Sequence, residues 1–490
     1  MSEKYDVIII GAGIGGLTTG AILSKKGKKV LVLEKNPIPG GYAVNFRRGE
    51  FEFDASLHLL DGFGEGKISY KFLEETGIDK KIKFLKPVYL YRSIFPDFDF
   101  RVPQCDPKAY IDILGNFFPS EKEKIKKIFD LMFKIFCRIH DVGNDKISPA
   151  DFIDYVDKTH QNVFEQFHID KKLTAIISQI WPFIGLPSKQ LPFLVFLSSW
   201  CDFIYNGGYY PEGGGQAISN ALVEVIESNK GKVVFSKTVI HILVHDSIAY
   251  GVVTNDRNSF LADKIVSNID ARTTFYNLAG RECLSPLFLS EIDRMEPSIS
   301  AFQVYLGLRI DLRKMGVNDY TIFLNPNYDL DYQYKASLEN NFHEAPIEIS
   351  LYNVLDENGI SRDRSVVNIV SLAGYDFWKN FTKDKYKKKK REMADVLIKR
   401  TERIVPRLSY YIERMEIATP LTMERYTGNY KGAIYGWSQI ISQYGAKRMS
   451  QKAPIENLFF SGAWTRPAGG IAGVMQSGVI ASNKILNKDF

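Results

Sequence analysis

Glycines 11, 13, 15 and 16 stand in the run Gly11-Ala12-Gly13-Ile14-Gly15-Gly16, and Glu34 follows in the same short unit. Glycines at this spacing suit one chemistry, the grip of a pyrophosphate. Gly11 permits a tight turn, Gly13 lets a phosphate come up against the backbone, and Gly16 lets the next helix lie close on a sheet. The phosphates then meet free N–H groups at the positive end of a helix dipole. An acid at Glu34 is placed to hold a ribose through its hydroxyls.

The elements needed to position these residues are all present. Asp6 to Ile10 is a short apolar run rich in β-branched residues, the pattern of a strand buried on both faces of a parallel sheet. A helical pattern follows through Leu17, Ala21, Ile22 and Leu23, then Gly27 and a second apolar strand, Val30 to Leu33. Strand, glycines, helix, strand and acid come in order within about thirty residues, the span of one βαβ unit. A glycine-rich turn between core elements is the plainer alternative, and the complete succession argues against it.

Further glycines point to the kind of dinucleotide. After Glu34-Lys35-Asn36, the run Pro39-Gly40-Gly41-Tyr42 brings the chain back past the nucleotide. A nicotinamide enzyme has no use for this second approach, whereas a flavin's ribityl chain and ring extend further. Near the other end, Phe459-Phe460-Ser461-Gly462 reads as a strand ending on small residues. It is followed by Ala463-Trp464, Gly469-Gly470-Ile471 and a helix from about Ala472 through Met475 and Val479. A second glycine-flanked helix N-terminus suits a flavin's ribityl phosphate and pyrimidine edge. A third cluster, Tyr209-Tyr210-Pro211-Glu212-Gly213-Gly214-Gly215, leads into a helix at Ile218 to Ser228.

With 490 residues the chain exceeds the usual single core, so intertwined domains are expected. The 33 Phe and 26 Tyr are enough to line a large apolar cavity, or simply to fill a Phe-rich core. A net charge of +6 is mild for this length and does not indicate nucleic acid. Four scattered cysteines suggest neither disulfides nor a zinc site, and no metal ligand set is expected. Pro119-Ser120-Glu121 opens a helix, with Ser120 as its N-cap, that runs toward His140. Ser148 to Phe152 opens another, and Asp384 to Tyr411 reads as one long helix. Trp181 to Phe203 is the most apolar stretch and suits a lid or entrance to an apolar site, or a buried helical core segment. Strand-like stretches dominate from Pro297 to Phe377, and the Lys387–Lys390 run reads as a solvated helix face. No leader precedes the first strand and no uncharged run spans a bilayer. The expectation is a cytoplasmic protein. Peripheral contact with the inner face of the cell membrane is suggested by the 181–203 stretch and by an amphipathic 120–139 helix bearing Lys124, Lys126 and Lys127.

Taken together, Gly11 to Gly16 with Glu34, Pro39-Gly40-Gly41, Phe53-Asp54, Tyr210 to Gly214, and Ser461-Gly462-Ala463 with Gly469-Gly470 resemble the carotenoid (phytoene) desaturase family, which includes carotenoid isomerase and retinol saturase. Thr419-Pro420-Leu421-Thr422, Arg425 to Asn429 and Gly432 to Gly436 resemble its isomerase and saturase branch. The resemblance covers about 5–63, 209–271 and 416–485; residues 67–205 match only as helical and apolar. It implies an α/β fold with a Rossmann-type, amine-oxidase-like FAD-binding domain assembled from discontinuous segments 1–100, 206–285 and 416–490. A helical, membrane-facing substrate-entrance region would occupy 101–205, and an α+β substrate domain 286–415. It places FAD on Gly11, Gly13, Gly15, Gly16, Glu34, Lys35, Gly40, Gly41, Tyr42, Asp54, Val239, Gly462, Ala463, Trp464, Gly470, Ile471 and Val474.

The implied reaction is on C=C bonds of a long conjugated polyene. Hydride passes at flavin N5, and a proton must arrive at the other carbon, so a positioned acid helps. His58, four residues after Asp54, is the first candidate, with Arg425, Tyr426 and Tyr435 as alternatives. His58 resembles the histidine of the saturase pattern Phe-Asp-x-Gly-x-His, although Ser56 stands where that pattern has glycine. One dinucleotide unit implies an external electron donor or acceptor. The 53–58 and 419–437 stretches tilt the direction toward saturation. Desaturation, cis–trans isomerisation and amine oxidation of a small amine are the alternatives.

Overall fold

The computed structural model describes residues 4–140, 152–356 and 363–487. The expected helix start at Ser148 lies, but for Phe152, outside them. Two seven-stranded sheets organise the chain. In the first, Lys4–Ile10 lies centrally, parallel to Val30–Leu33 on one side and Ser259–Ser267 on the other. Lys232–Val234 extends the first side. On the second side Leu458–Phe460 runs parallel to Ser259–Ser267, and Ile248–Thr254 and Val239–His245 add an antiparallel arm. Strands from the beginning, middle and end of the chain thus share one sheet. Helix Ile14–Lys25 is buried from Ile14 to Ser24, packed between that sheet and helices Gly214–Ser228 and Ile471–Ile485.

The second sheet runs Ile412–Ala418, Ser300–Leu308, Ser365–Ala373, Ile347–Leu351, Thr321–Leu324, Tyr89–Ile94, Asp99–Pro103, antiparallel except where Tyr89–Ile94 meets Thr321–Leu324. Side chains alternate across it. Phe302, Val304, Ile322, Leu324, Ile347, Ile349, Val367 and Ile369 enter a core with helix Lys383–Thr401. Ala301, Gln303, Phe323, Glu348 and Val370 point the other way, into a cavity. The hairpin 89–103 pairs in this second sheet, so a division at residue 100 falls inside one of its strands. The reason is a remote partner: Tyr89 to Ile94 pairs with Thr321–Leu324, far along the chain.

Other expectations need correction. The helix expected over 384–411 stops at Thr401, because Pro406 cannot continue it and Arg407 sits at φ 59°. Ser120 lies in a 3-10 turn, Pro119–Glu121, ahead of helix Lys122–His140 and makes no cap. That helix buries its apolar stripe, Ile125, Ile128, Phe129, Met132, Ile135 and Phe136, with Phe129 edge-on to Trp200 at 4.6 Å. The 181–203 stretch, including helix Phe193–Cys201, is likewise mostly interior. Both features that suggested membrane contact bury most of their apolar surface inside the protein, although Phe133 stays 39% exposed. Among the described residues no helix is long and apolar enough to cross a membrane.

Trp378 shows how tightly the second core is closed. It is fully buried, lies stacked 5.5 Å from Phe302, and donates from Nε1 to Asn340 Oδ1 at 2.8 Å. Trp378→Ala is expected to cost about 3–5 kcal/mol, read as a lower urea midpoint with an unchanged flavin spectrum in the surviving folded protein.

Candidate active site

Helices Ile14–Lys25 and Ile471–Ile485 start at Gly13 and Gly470, and neither has a side-chain cap on its first N–H groups. Both starts open on one cavity of about 1060 Å³. Glycine lets the neighbouring loops close on the first of them. A Cβ on Gly15 would lie 2.6 Å from Gly462 Cα, in the turn after strand Leu458–Phe460, and one on Gly13 would lie 2.7 Å from the Asn268 side-chain Nδ2. Gly16 faces away from the cavity, where a Cβ would strike Gly11 O at 2.5 Å; its role is the close packing of helix on strand.

Glu34 is buried at the end of its strand. Its Oε2 accepts the Ala12 N–H at 2.7 Å and its Oε1 the Asn36 N–H at 2.8 Å. A carboxylate held this way keeps lone pairs for hydroxyl groups in the cavity. Lys35, Gly40, Gly41, Val239, Gly462, Ala463, Trp464, Gly470, Ile471 and Val474 line the same space. So does Tyr42, whose hydroxyl donates to Ala433 O at 3.2 Å and is pushed up to about 12 by burial. Trp464 is held by its Nε1 on Asn429 Oδ1 at 3.0 Å. Two uncapped helix starts, a pinned acid and a glycine wall fit a dinucleotide with an attached ring.

Asp54 does not reach this space. It is 4% exposed, and its carboxylate accepts from Leu57 N at 2.7 Å, Ser56 N at 3.1 Å, Gly215 N at 2.8 Å and the Tyr210 hydroxyl at 3.2 Å. Burial still raises it to about 6. It therefore anchors the 54–58 turn to the start of helix Gly214–Ser228. Arg425 is on the exposed face of helix Pro420–Thr427, over the Tyr426 ring, and is absent from the cavity wall. Tyr426 is 54% exposed and sits beside Asn36, whose Nδ2 donates to its carbonyl at 3.1 Å. That is the Glu34 end of the cavity, away from His58. Helix Pro420–Thr427 turns Arg425 outward because it buries Pro420 and Met423, and it leaves Tyr426 on the rim of the cavity.

The remaining candidates do converge. His58 lines the cavity, its Nδ1 2.9 Å from Ser350 Oγ and 3.3 Å from the Tyr352 hydroxyl. Burial pulls its imidazole down to about 4, so it is neutral near pH 7. Tyr435 lines the cavity too, its N–H bonded to Ser298 Oγ at 2.9 Å and its hydroxyl 3.4 Å from Pro182 O. Beyond them the space continues as an apolar arm walled by Ile184, Leu194, Val195 and a run of rings, Phe203 to Phe183 at 5.6 Å and Phe183 to Phe323 at 5.5 Å.

Two residues here escape a reading of the sequence. Arg448 is wholly buried and donates to Thr465 O at 2.8 Å, Trp437 O at 2.9 Å and Ala463 O at 2.5 Å. It ties the 435–438 loop to the 463–465 loop, and burial lowers it to about 9. Nothing in its neighbourhood marks it as interior. Glu348 is different: it is a lone acid amid Ile347, Ile349 and Leu351, and a charge inside an apolar strand is a signal by itself.

A glycine-built cradle on a mixed sheet, continuous with a chamber walled by a second sheet, defines an FAD-dependent oxidoreductase. The chain belongs to the flavin containing amine oxidoreductase family, whose profile matches residues 14–486. Prolycopene isomerase 2, chloroplastic, from an Oncidium hybrid cultivar is 26% identical over 509 residues, covering 99% of this chain and 84% of that one. All-trans-retinol 13,14-reductase from Danio rerio is 24% identical over 528 residues, covering 99% and 87%. The crystal structure of an oxidoreductase from Methanosarcina mazei superposes with a TM-score of 0.69 at 17% identity, over 99% of this chain and 100% of that one. This last likeness is one of fold.

Gly15→Ala tests the backbone contact between the first helix and the Gly462 turn that follows strand Leu458–Phe460. Gly462 cannot move aside as a side chain would, so the change is expected to cost about 1–3 kcal/mol and to release the flavin on gel filtration.

Proposed function

We propose that this protein reduces a C=C bond of a long, apolar conjugated polyene. One observation carries the reading: a single cavity runs from the two helix starts, past His58 and Glu348, into an arm walled by aliphatic and aromatic side chains. A rigid, narrow, apolar substrate with one end near a flavin ring suits that shape. A small polar amine would leave the arm empty. The compounds for which the relatives are named, prolycopene and all-trans-retinol, are of this polyene class.

In this reading the helix starts at Gly13 and Gly470 hold the phosphates and the polar edge of the ring, with Gly11, Gly41, Gly462, Ala463 and Ile471 close against the cofactor. Glu34 takes the ribose hydroxyls. When bound, FAD supplies hydride transfer at N5. The chain's own contribution is orientation, exclusion of water by the arm, and a proton at the second alkene carbon. Tyr435, held on the cavity wall by Ser298 and Pro182, limits how the polyene lies against the ring. The electrons come from an external donor, since one dinucleotide site serves the chain.

Anaerobic mixing separates the possible directions. With the flavin reduced by dithionite, addition of all-trans-retinol is expected to reoxidise the flavin while the polyene band shifts to the blue, in equal amounts. A flavin that stays reduced while the polyene band changes only in fine structure would instead make the protein an isomerase. If neither moves, and oxidised enzyme desaturates a partly saturated polyene, the direction is reversed.

A further inference from the structure

We propose that Glu348 is the group that delivers the proton to the substrate, with His58 beside it as a positioning residue. The proposal rests on the polyene-reductase reading above and names the acid that reading requires.

Strand Ile347–Leu351 alternates, so Ile347, Ile349 and Leu351 enter the core while Glu348 and Ser350 face the cavity side. Glu348 is 7% exposed and lines the cavity, yet its Oε1 has no hydrogen-bond partner. An ionised carboxylate left so would be expensive, because buried charge needs a donor or a counter-charge. Among the described residues its one ion-pair neighbour within 4.0 Å is His58, at 3.9 Å from Nδ1. Burial keeps that imidazole neutral near pH 7. The same burial pushes Glu348 up to about 8, so near neutrality it holds a proton, with its Oε1 left bare on the cavity wall. The cross-strand neighbours Phe323 and Val370 are apolar and keep it dry.

His58 is the weaker donor, since a neutral imidazole surrenders its N–H proton far less readily than a carboxylic acid. Its ring is instead fixed by Ser350 and Tyr352 at a distance that confines the Glu348 carboxyl. The other titratable groups facing this corner are Tyr320, Tyr352 and, across the cavity, Tyr435. All three are raised by burial and stay neutral through the working range. Asp54 lies behind the turn, bonded to backbone.

The step balances. Hydride from the reduced flavin forms a C–H bond at one alkene carbon, and the π electrons take the Glu348 proton at the other. The alkene is reduced by two electrons and the flavin oxidised by two. The carboxylate regains its proton from water, and an external reductant, dithionite in the experiment below, restores the flavin.

The test uses full-length, FAD-loaded protein reduced with dithionite and mixed anaerobically with all-trans-retinol. Glu348→Gln keeps the shape and removes the proton, and is expected to slow flavin reoxidation at least about 100-fold with the bound flavin spectrum unchanged. Glu348→Asp is expected to recover part of the rate. In the wild type the rate falls as pH rises through about 8, where the acid form is lost; in Glu348→Gln that limb is absent. Independently of turnover, infrared difference spectra across the same pH range are expected to show a carboxylic C=O band that titrates away and is missing in Glu348→Gln. A wild type that reacts while Glu348→Gln matches it within threefold, or a carboxyl already ionised at pH 7, overturns this role alone. A wild type whose reduced flavin is not reoxidised by the polyene overturns the proposed function and this role with it.

Discussion

The contact between the first helix and the last is the constraint on which the rest depends. Gly478 in the final helix comes so close to Gly15 that a Cβ there would lie 2.7 Å from the Gly15 carbonyl. Thr19 and Ser482 complete the seam, the first donating across it to Gly478 O at 3.4 Å and the second to Thr19 O at 3.4 Å. Only small side chains allow two helices to meet at backbone distance. The seam fixes how the two helices lie together, and both of their N-terminal ends, where an anion is favoured, line the same cavity.

The second sheet supplies the complementary half. Its two faces are chemically distinct because strand residues alternate, and the cavity takes the face bearing Gln303, Phe323, Glu348 and Val370. The Phe51–Asp54 hairpin strand brings His58 to that face, and the Asp54 carboxylate fixes the turn by gathering four donors. Tyr320 and Tyr352 then bond the carbonyls of His58 and Leu57 at 2.7 and 2.8 Å. The histidine is thus placed by backbone bonds from two directions before its ring makes any contact.

Much of the nucleotide half was legible in the sequence because glycine spacing and a βαβ unit are local features. The strands 4–10 and 30–33, the helix between them and the terminal helix from Ile471 follow from residues within about thirty positions of each other. The errors arose where partners are remote. Asp54 reads as a cofactor residue until helix Gly214–Ser228 is placed on it, and the 89–103 hairpin looks like part of the first segment until Thr321–Leu324 claims its edge. Arg425 and Tyr426 sit in a segment that does approach the site, but the rotation of one short helix decides which side chains face it. Glu348 was visible as a misfit in an apolar strand; its meaning needed His58, almost three hundred positions away.

The path of the chain has an evolutionary corollary. It builds two strands of the first sheet, crosses to the second at residue 89, returns at 232, leaves again at 300 and comes back only at 458. No continuous stretch contains either sheet, so neither can be duplicated, shuffled or lost as a cassette. In a lineage with this topology the readiest route to a new substrate is the continuous 182–203 stretch, which walls the cavity yet belongs to neither sheet, around a cradle that stays fixed.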